Sequence, residues 1–311
     1  MNNLAFVFPG QGSQSVGMLT DLYQNHQIIR DTISDASTAL NFDLAELILK
    51  GPEQNLNRTD LTQPALLASS VAIYRLWQQQ TAIKPSLMAG HSLGEYSALV
   101  CSGAMAFDDA LKLVESRGKF MLDAVPEGEG AMAAILGLDN AKVEQCCKEA
   151  ESGEIVSAVN YNSPGQIVIA GTSQAVDRAM LLCKEAGAKR AIPLAVTVPS
   201  HCLLMKPAAD KLEQQLAKLE ISTPEITVIN NVDVAQETSA EAISSALVRQ
   251  LYNPVRWSES IKAMQDQGIT TIFECGPGKV LAGLCKRLDR NLTALVSNDQ
   301  ANFNKSMEAL K

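Results

Sequence analysis

Histidine is scarce in this chain: three stand among 311 residues, at 26, 91 and 201. None sits in an H-x-x-x-H or Cys/His spacing, so a metal centre is not suggested. The seven cysteines are scattered, one adjacent pair at Cys146-Cys147 and no C-x-x-C. An odd count without framework spacing reads as reduced thiols in a cytoplasm-like compartment. Long hydrophobic runs are missing too. The longest apolar segment, "ALLASSVAIYRLW", is broken by serines and Arg75, which excludes a membrane span. The opening "MNNLAFVFPGQG" has no basic leader and too short an apolar run for a secretory signal. Basic residues are outnumbered 26 to 34, leaving a net charge of −8, which argues against a general nucleic-acid binder. No internal repeat, low-complexity tract or proline- and glycine-rich linker is found.

What is present suits a globular protein with a large core: 46% hydrophobic and 19% charged residues, with length for about two domains. The apolar run at 4–8 stops at Pro9-Gly10 and reads as a buried strand ending in the loop "PGQGSQSVG". Helical patterns continue to about residue 80, followed by "SLMAG", a turn at Ser92 and a helix from Glu95. That alternation predicts an α/β fold with a mainly parallel sheet. The middle differs. "AMAAILGL", a helix over 140–151, "IVSAVN", "QIVIAG" across Asn162-Ser163-Pro164-Gly165, a helix over 173–186 and "AKRAIPLAV" give β-α-β-β-α-β, the ferredoxin-like order. Afterwards α/β patterning resumes with helices near 207–219, 240–251 and 258–267, the strands "EITVINN" and "TTIFECGPG", and a helix from Lys279. The expected organisation is a hydrolase-like catalytic domain, 1–127 and 197–311, with an inserted ferredoxin-like subdomain at 128–196.

Gly90-His91-Ser92-Leu93-Gly94 is G-x-S-x-G, the pattern of a strand-to-helix elbow that lifts a nucleophilic hydroxyl out of the backbone. Such a serine needs a base and oxyanion donors. His26, in "LYQNHQIIR", reads as a solvated surface residue. His91 adjoins the serine, and neighbouring side chains on a tight elbow point apart. His201, in "VTVPSHCLLMKP", follows a strand end and lies C-terminal to the serine, as in α/β sites with this elbow. Spacing alone leaves a catalytic and a purely structural His201 both open. Cys202 reads as a small core residue. The turns "GQGSQSVG" and "GPGKV" lack the registers of phosphate-binding loops. A close backbone approach at Gly10-Gln11-Gly12 would instead supply one peptide N–H at Gln11, and Leu93 the second.

Arg117 is the other signal. In "ALKLVESRGKFML", positions 110, 113, 114, 117, 120 and 121 share one helical face, apolar except for the arginine. A guanidinium aimed at a core requires a partner, either a protein carboxylate or a substrate carboxylate. No acid shares the stripe, so a local partner is excluded and a distant one is not.

The motifs "FVFPGQGSQ", "GHSLGEYSAL", "RGKFM", "VPSHC", "LYNPVRW" and "GPGKVL" occur in the order found in malonyl-CoA:acyl carrier protein transacylases. From the first strand to about residue 290 the chain resembles the free-standing bacterial members of that family, which serve type II fatty acid synthesis. The resemblance implies Ser92 as the acylated nucleophile, His201 as general base and acid, and the amides of Gln11 and Leu93 as oxyanion hole. It implies Arg117 as the grip on the malonyl carboxylate and the main-chain carbonyl of Gln250 as the group orienting His201. Asn160 and Gln166 would face the coenzyme A arm. Malonyl-CoA and an acyl carrier protein are the implied partners, with no cofactor, nucleic acid or membrane, and a cytoplasmic monomer is expected. Val198-Pro199-Ser200-His201 matches neither polyketide pattern at the specificity position, so malonyl rests on Arg117 and the overall similarity. Because carrier proteins are typically acidic, docking calls for local basic residues. Lys189-Arg190 and Lys286-Arg287 are the candidates, solvated surface being the plainer reading. A serine hydrolase and a non-catalytic carrier-binding module are the rival functions.

Overall fold

The computed structural model describes residues 3–195 and 198–310. Its strands are β1 (Leu4–Phe8), β2 (Leu87–Gly90), β3 (Gly130–Leu136), β4 (Val156–Ser163), β5 (Gln166–Thr172), β6 (Arg190–Pro193), β7 (Thr227–Ile229), β8 (Thr271–Glu274) and β9 (Thr293–Val296). Five build a parallel sheet in the order β7-β2-β1-β8-β9. All five residues of β1 are buried, as a central parallel strand covered on both faces requires. Phe6 of β1 packs against Trp77, from the 22-residue helix Thr59–Gln80, and against Phe273 of β8, at ring centroid distances of 5.2 and 4.7 Å. That helix is buried almost all round.

The remaining strands form an antiparallel sheet, order β4-β5-β3-β6, with the helices Asn140–Ala150 and Ser173–Glu185 on one face. This is the ferredoxin-like pairing read from the sequence. Its hairpin is tighter than the pattern implied: Ser163 pairs with Gln166, leaving only Pro164-Gly165 in the turn. The small sheet is tied to the large one by Val255, whose N–H donates to the Val159 carbonyl (2.8 Å) and whose carbonyl accepts from Tyr161 N–H (3.0 Å). The other face of the small sheet meets Cys202 through Met132, Val159, Val168 and Ala170.

Three details depart from the sequence reading. The strand expected over 188–196 is Arg190–Pro193; Val196 and the 196/197 domain boundary lie outside the described residues. The strand expected over 225–231 stops at Ile229, which frees Asn230 and Asn231. A fifth parallel strand, β9, and a last helix, Gln300–Ala309, were not anticipated. His26 is correspondingly not a solvated residue: it is half-buried and bonds Gln300 at 2.6 Å. All seven cysteines are free and buried, with Cys146, Cys147 and Cys183 in the core of the small sheet, Cys101 and Cys275 in one core of the large sheet and Cys285 in its other core. No helix among the described residues is long and apolar enough to cross a membrane.

Candidate active site

Open parallel sheets gather ligands outside the carboxyl ends of their strands, where neighbouring connections diverge. Here Gly10-Gln11 lies just beyond the end of β1, Ser92 just beyond β2 and Asn231 just beyond β7. Ser92 has φ 53°, in the left-handed region, which side chains other than glycine occupy only when their surroundings hold them there. Two contacts do so: Ser92 N–H donates to Asn231 Oδ1 (2.7 Å), and Asn231 Nδ2 donates to the Gly90 carbonyl (2.6 Å). The helix Gly94–Cys101 begins at once. A Cβ on Gly94 would stand 2.0 Å from the Phe8 carbonyl oxygen, so only glycine lets the elbow seat against β1.

His201 also has a left-handed backbone, φ 66°. Its N–H donates to the Leu251 carbonyl (2.9 Å), and its Nδ1 lies 2.7 Å from the Gln250 carbonyl oxygen. A carbonyl only accepts, so Nδ1 carries the proton and Nε2 offers a lone pair to the Ser92 hydroxyl, 2.8 Å away. Burial, reinforced by the charge on Arg117, pulls the His201 pKa down to about 3. The imidazole is therefore neutral at physiological pH. His91 also lines the cavity around this pair, but its Nε2 donates to Asn162 Oδ1 (2.8 Å), stitching the elbow to β4.

Arg117 projects from the buried face of the helix Phe107–Ala124 and is 1% exposed. The next residue, Gly118, abuts the backbone of Asp60, where a Cβ would come within 2.5 Å of the Asp60 Cα. That close approach brings Gln63 to Arg117. The guanidinium donates to Gln63 Oε1 (2.8 Å), Gln250 Oε1 (3.0 Å) and Ser92 Oγ (3.3 Å). Its carbon lies 5.3 Å from the centre of the Tyr96 ring, and its Nε has no partner among the described residues. Of the two partners the sequence left open, no protein carboxylate is present among the described residues: neutral oxygens hold the cation beside the serine.

Ser92, His201, Gln11, Leu93, Arg117 and Asn160 line one cavity of about 90 Å³. Among the described residues, no protein acceptor takes the N–H of Gln11 or of Leu93, so both stay available to an anion. Asn160 Oδ1 is buried with no partner among the described residues. Gln250 lies fully buried beneath the cavity. Gln166 stands outside this cavity, where its Oε1 accepts from Arg287 and joins β5 to the helix Val280–Leu288. A larger hollow of about 430 Å³ shares Gln11 and reaches past Arg58, Val125 and Val198; it adjoins the chemistry without containing it.

Three residues escaped the sequence reading. Glu95 is 2% exposed, and its Oε2 accepts from Asn231 N–H (2.8 Å) and Gln250 Nε2 (2.9 Å). Burial pushes its pKa up to about 7, against the pull of those bonds and of Arg117. Asn231 and Gln63 complete the set. A carboxylate immediately after the elbow and an Asn-Asn pair at a strand end were the available signals.

Residues 5–297 match the family model described as an acyl transferase domain. The chain is 58% identical over 308 residues to an Escherichia coli protein named malonyl CoA-acyl carrier protein transacylase, covering 99% of this chain and 100% of that one. A Haemophilus influenzae protein of the same name is 59% identical over 311 residues, covering 100% of both chains. Among solved structures, an acyl carrier protein S-malonyltransferase from Vibrio cholerae superimposes with a TM-score of 0.96 at 55% identity over 100% of both chains. A malonyl-transacylase in complex with its type II polyketide acyl carrier protein gives 0.97 at 57% identity, covering 98% of this chain and 99% of that one.

Proposed function

The chain belongs to the acyl transferase family, and on that premise we propose that it carries a malonyl group from coenzyme A to the phosphopantetheine thiol of an acyl carrier protein, through an ester on Ser92. The product supplies extender units for fatty acid synthesis. One observation supports malonyl over a neutral acyl group: a buried guanidinium, bonded only to neutral oxygens, stands 3.3 Å from the nucleophile. A three-carbon acyl group with a free carboxylate can span from Arg117 to the Ser92 oxygen, and the planar fork of arginine suits it.

In this reading His201 Nε2 takes the hydroxyl proton as Ser92 Oγ attacks the thioester carbonyl. The carbonyl oxygen becomes an anion and is met by the N–H groups of Gln11 and Leu93. When the tetrahedral adduct collapses, the carbon–sulfur bond breaks, and His201 returns the proton to the departing thiolate. The carrier thiol then gives its proton to His201, attacks the serine ester, and Ser92 leaves with the proton restored. The Gln250 carbonyl keeps the imidazole in one tautomer throughout, the task an acid performs in a Ser-His-Asp triad. Each proton has a place on His201 and the coenzyme A thioester enters as substrate, so the chemistry calls for no cofactor. Every group named comes from one chain, which suits action as a monomer, and seven free thiols suit a cytoplasmic setting.

The test is intact-protein mass after brief mixing with malonyl-CoA, and again after adding carrier protein bearing its phosphopantetheine arm. A malonyl adduct on Ser92 that persists in buffer and moves to the carrier is the expected result. Release of coenzyme A with no lasting adduct would mean a hydrolase, and no reaction would remove malonyl-CoA as donor.

A further inference from the structure

Arg117 is a buried cation with no ion pair among the described residues, which raises the question of what balances it. The Gln250 side-chain amide lies between it and the nearest buried carboxylate. Its Oε1 accepts from Arg117 Nη2 (3.0 Å), while its Nε2 donates to Glu95 Oε2 (2.9 Å). The amide dipole is thus aligned with both charges, oxygen toward the cation and hydrogens toward the carboxylate. The same Oε2 accepts from Asn231 N–H, and Asn231 holds the Ser92 N–H. The main chain of Gln250 orients His201. Bonds from one carboxylate therefore lead, through a single residue each, to the nucleophile, the base and the anion grip.

We propose that Glu95 is a positioning residue for the transfer: a counter-charge held one amide away from Arg117, which leaves the guanidinium open to the acyl carboxylate while limiting how tightly that carboxylate is held. The inference rests on the malonyl reading above. Had Glu95 paired with Arg117 directly, the substrate would have to break a buried ion pair, a cost of several kcal/mol. With no counter-charge, the site would retain an anion that must arrive on one thiol and leave on another, and binding ground and transition states equally gains nothing in turnover. The spacer amide avoids both extremes.

The charged and titratable groups facing Glu95 are Arg117 and Tyr96, then Asp233 beside β7, itself ion-paired to Arg249; His201, which burial holds neutral, is reached only through Gln250. Burial places the Glu95 titration near neutrality. It therefore carries more charge at pH 8.5 than at pH 6.

Glu95→Gln can place an oxygen where Oε2 lies and keep both bonds, so that only the charge is lost. At pH 8.5 the malonyl-over-acetyl ratio of kcat/KM is expected to rise about five-fold or more, as removal of one nearby buried charge implies. KM for malonyl-CoA should fall, and at pH 6 the difference from wild type should shrink. Because numerator and denominator share any general damage to the site, a merely structural glutamate would leave this ratio unchanged. A folded Glu95→Gln protein with the wild-type ratio at pH 8.5 overturns the proposal. A second measurement needs no variant: calorimetric binding of malonamate, a non-transferable single carboxylate, to the wild-type chain at pH 6 and 8.5. Tighter binding at pH 6 is expected; equal or weaker binding there overturns the proposal, whether or not malonyl transfer is observed. A chain that binds malonamate in this pH-dependent way but transfers no malonyl would overturn the transfer reading alone.

Discussion

Arg117 and His201 lie in the same pocket, and the guanidinium depresses the imidazole that works beside it. Arg117→Ala removes the anion grip together with the charge-derived part of this depression, burial being the larger part. Malonyl transfer is expected to fall by about two to three orders of magnitude, the scale of leaving one partner of a buried pair unmatched. Acetyl transfer should fall much less, so the malonyl-over-acetyl ratio collapses; paired kcat/KM measurements with the two thioesters check it. His201 also makes a stability statement. Its folded pKa, about 3, lies below the value of a free histidine. The unfolded chain therefore takes up the proton first, and stability is lost as pH falls from about 6.5 through about 3. Between pH 7 and pH 5 the wild type should lose about 2 kcal/mol relative to His201→Gln, which cannot titrate there. Denaturant midpoints of both proteins at the two pH values measure the difference.

At the scale of elements, the elbow is a contact between two backbones before it is a catalytic turn. Gly94→Ala drives a methyl into the Phe8 carbonyl, and seating it means separating β1 from the helix Gly94–Cys101. A loss of about 3 kcal/mol or more is expected, with transfer activity abolished because Leu93 N–H moves with that helix. Melting and adduct formation report the two effects separately. This element was legible from five letters, since the glycine spacing is local chemistry. So was the buried arginine, because helical periodicity places it in the apolar stripe. The bracing set was not. Ser92 meets Asn231 across 139 positions, Gln250 meets Glu95 across 155, and Arg117 meets Gln63 across 54. No local pattern marks one buried amide among many, and only sheet order brings those turns together. Likewise β9 has four half-buried or exposed residues, too few for a periodicity, whereas the eight- and seven-residue hairpin strands β4 and β5 announced themselves.

For the whole molecule, a net charge of −8 opposes an acidic carrier protein, so productive encounter depends on where the basic residues lie. Arg287 bonds Gln166 and so marks the line where the small subdomain meets the helix Val280–Leu288. Reversing both charges, Lys286→Glu with Arg287→Glu, is expected to raise KM for the carrier several-fold at low salt with kcat little changed. An unaltered KM would remove that pair from the docking surface. The distribution of thiols allows another measurement on the intact protein. Three lie in the core of the small sheet and three in the two cores of the large sheet, while Cys202, the residue after His201, alone sits on the seam against the small sheet. Burial pushes the Cys202 thiol up to about 11, so an alkylating reagent must await an opening of the protein. Mass-resolved alkylation therefore becomes a two-channel clock: modification at Cys202 ahead of the other six counts openings of the seam beside the small sheet, and modification of all seven together counts complete unfolding.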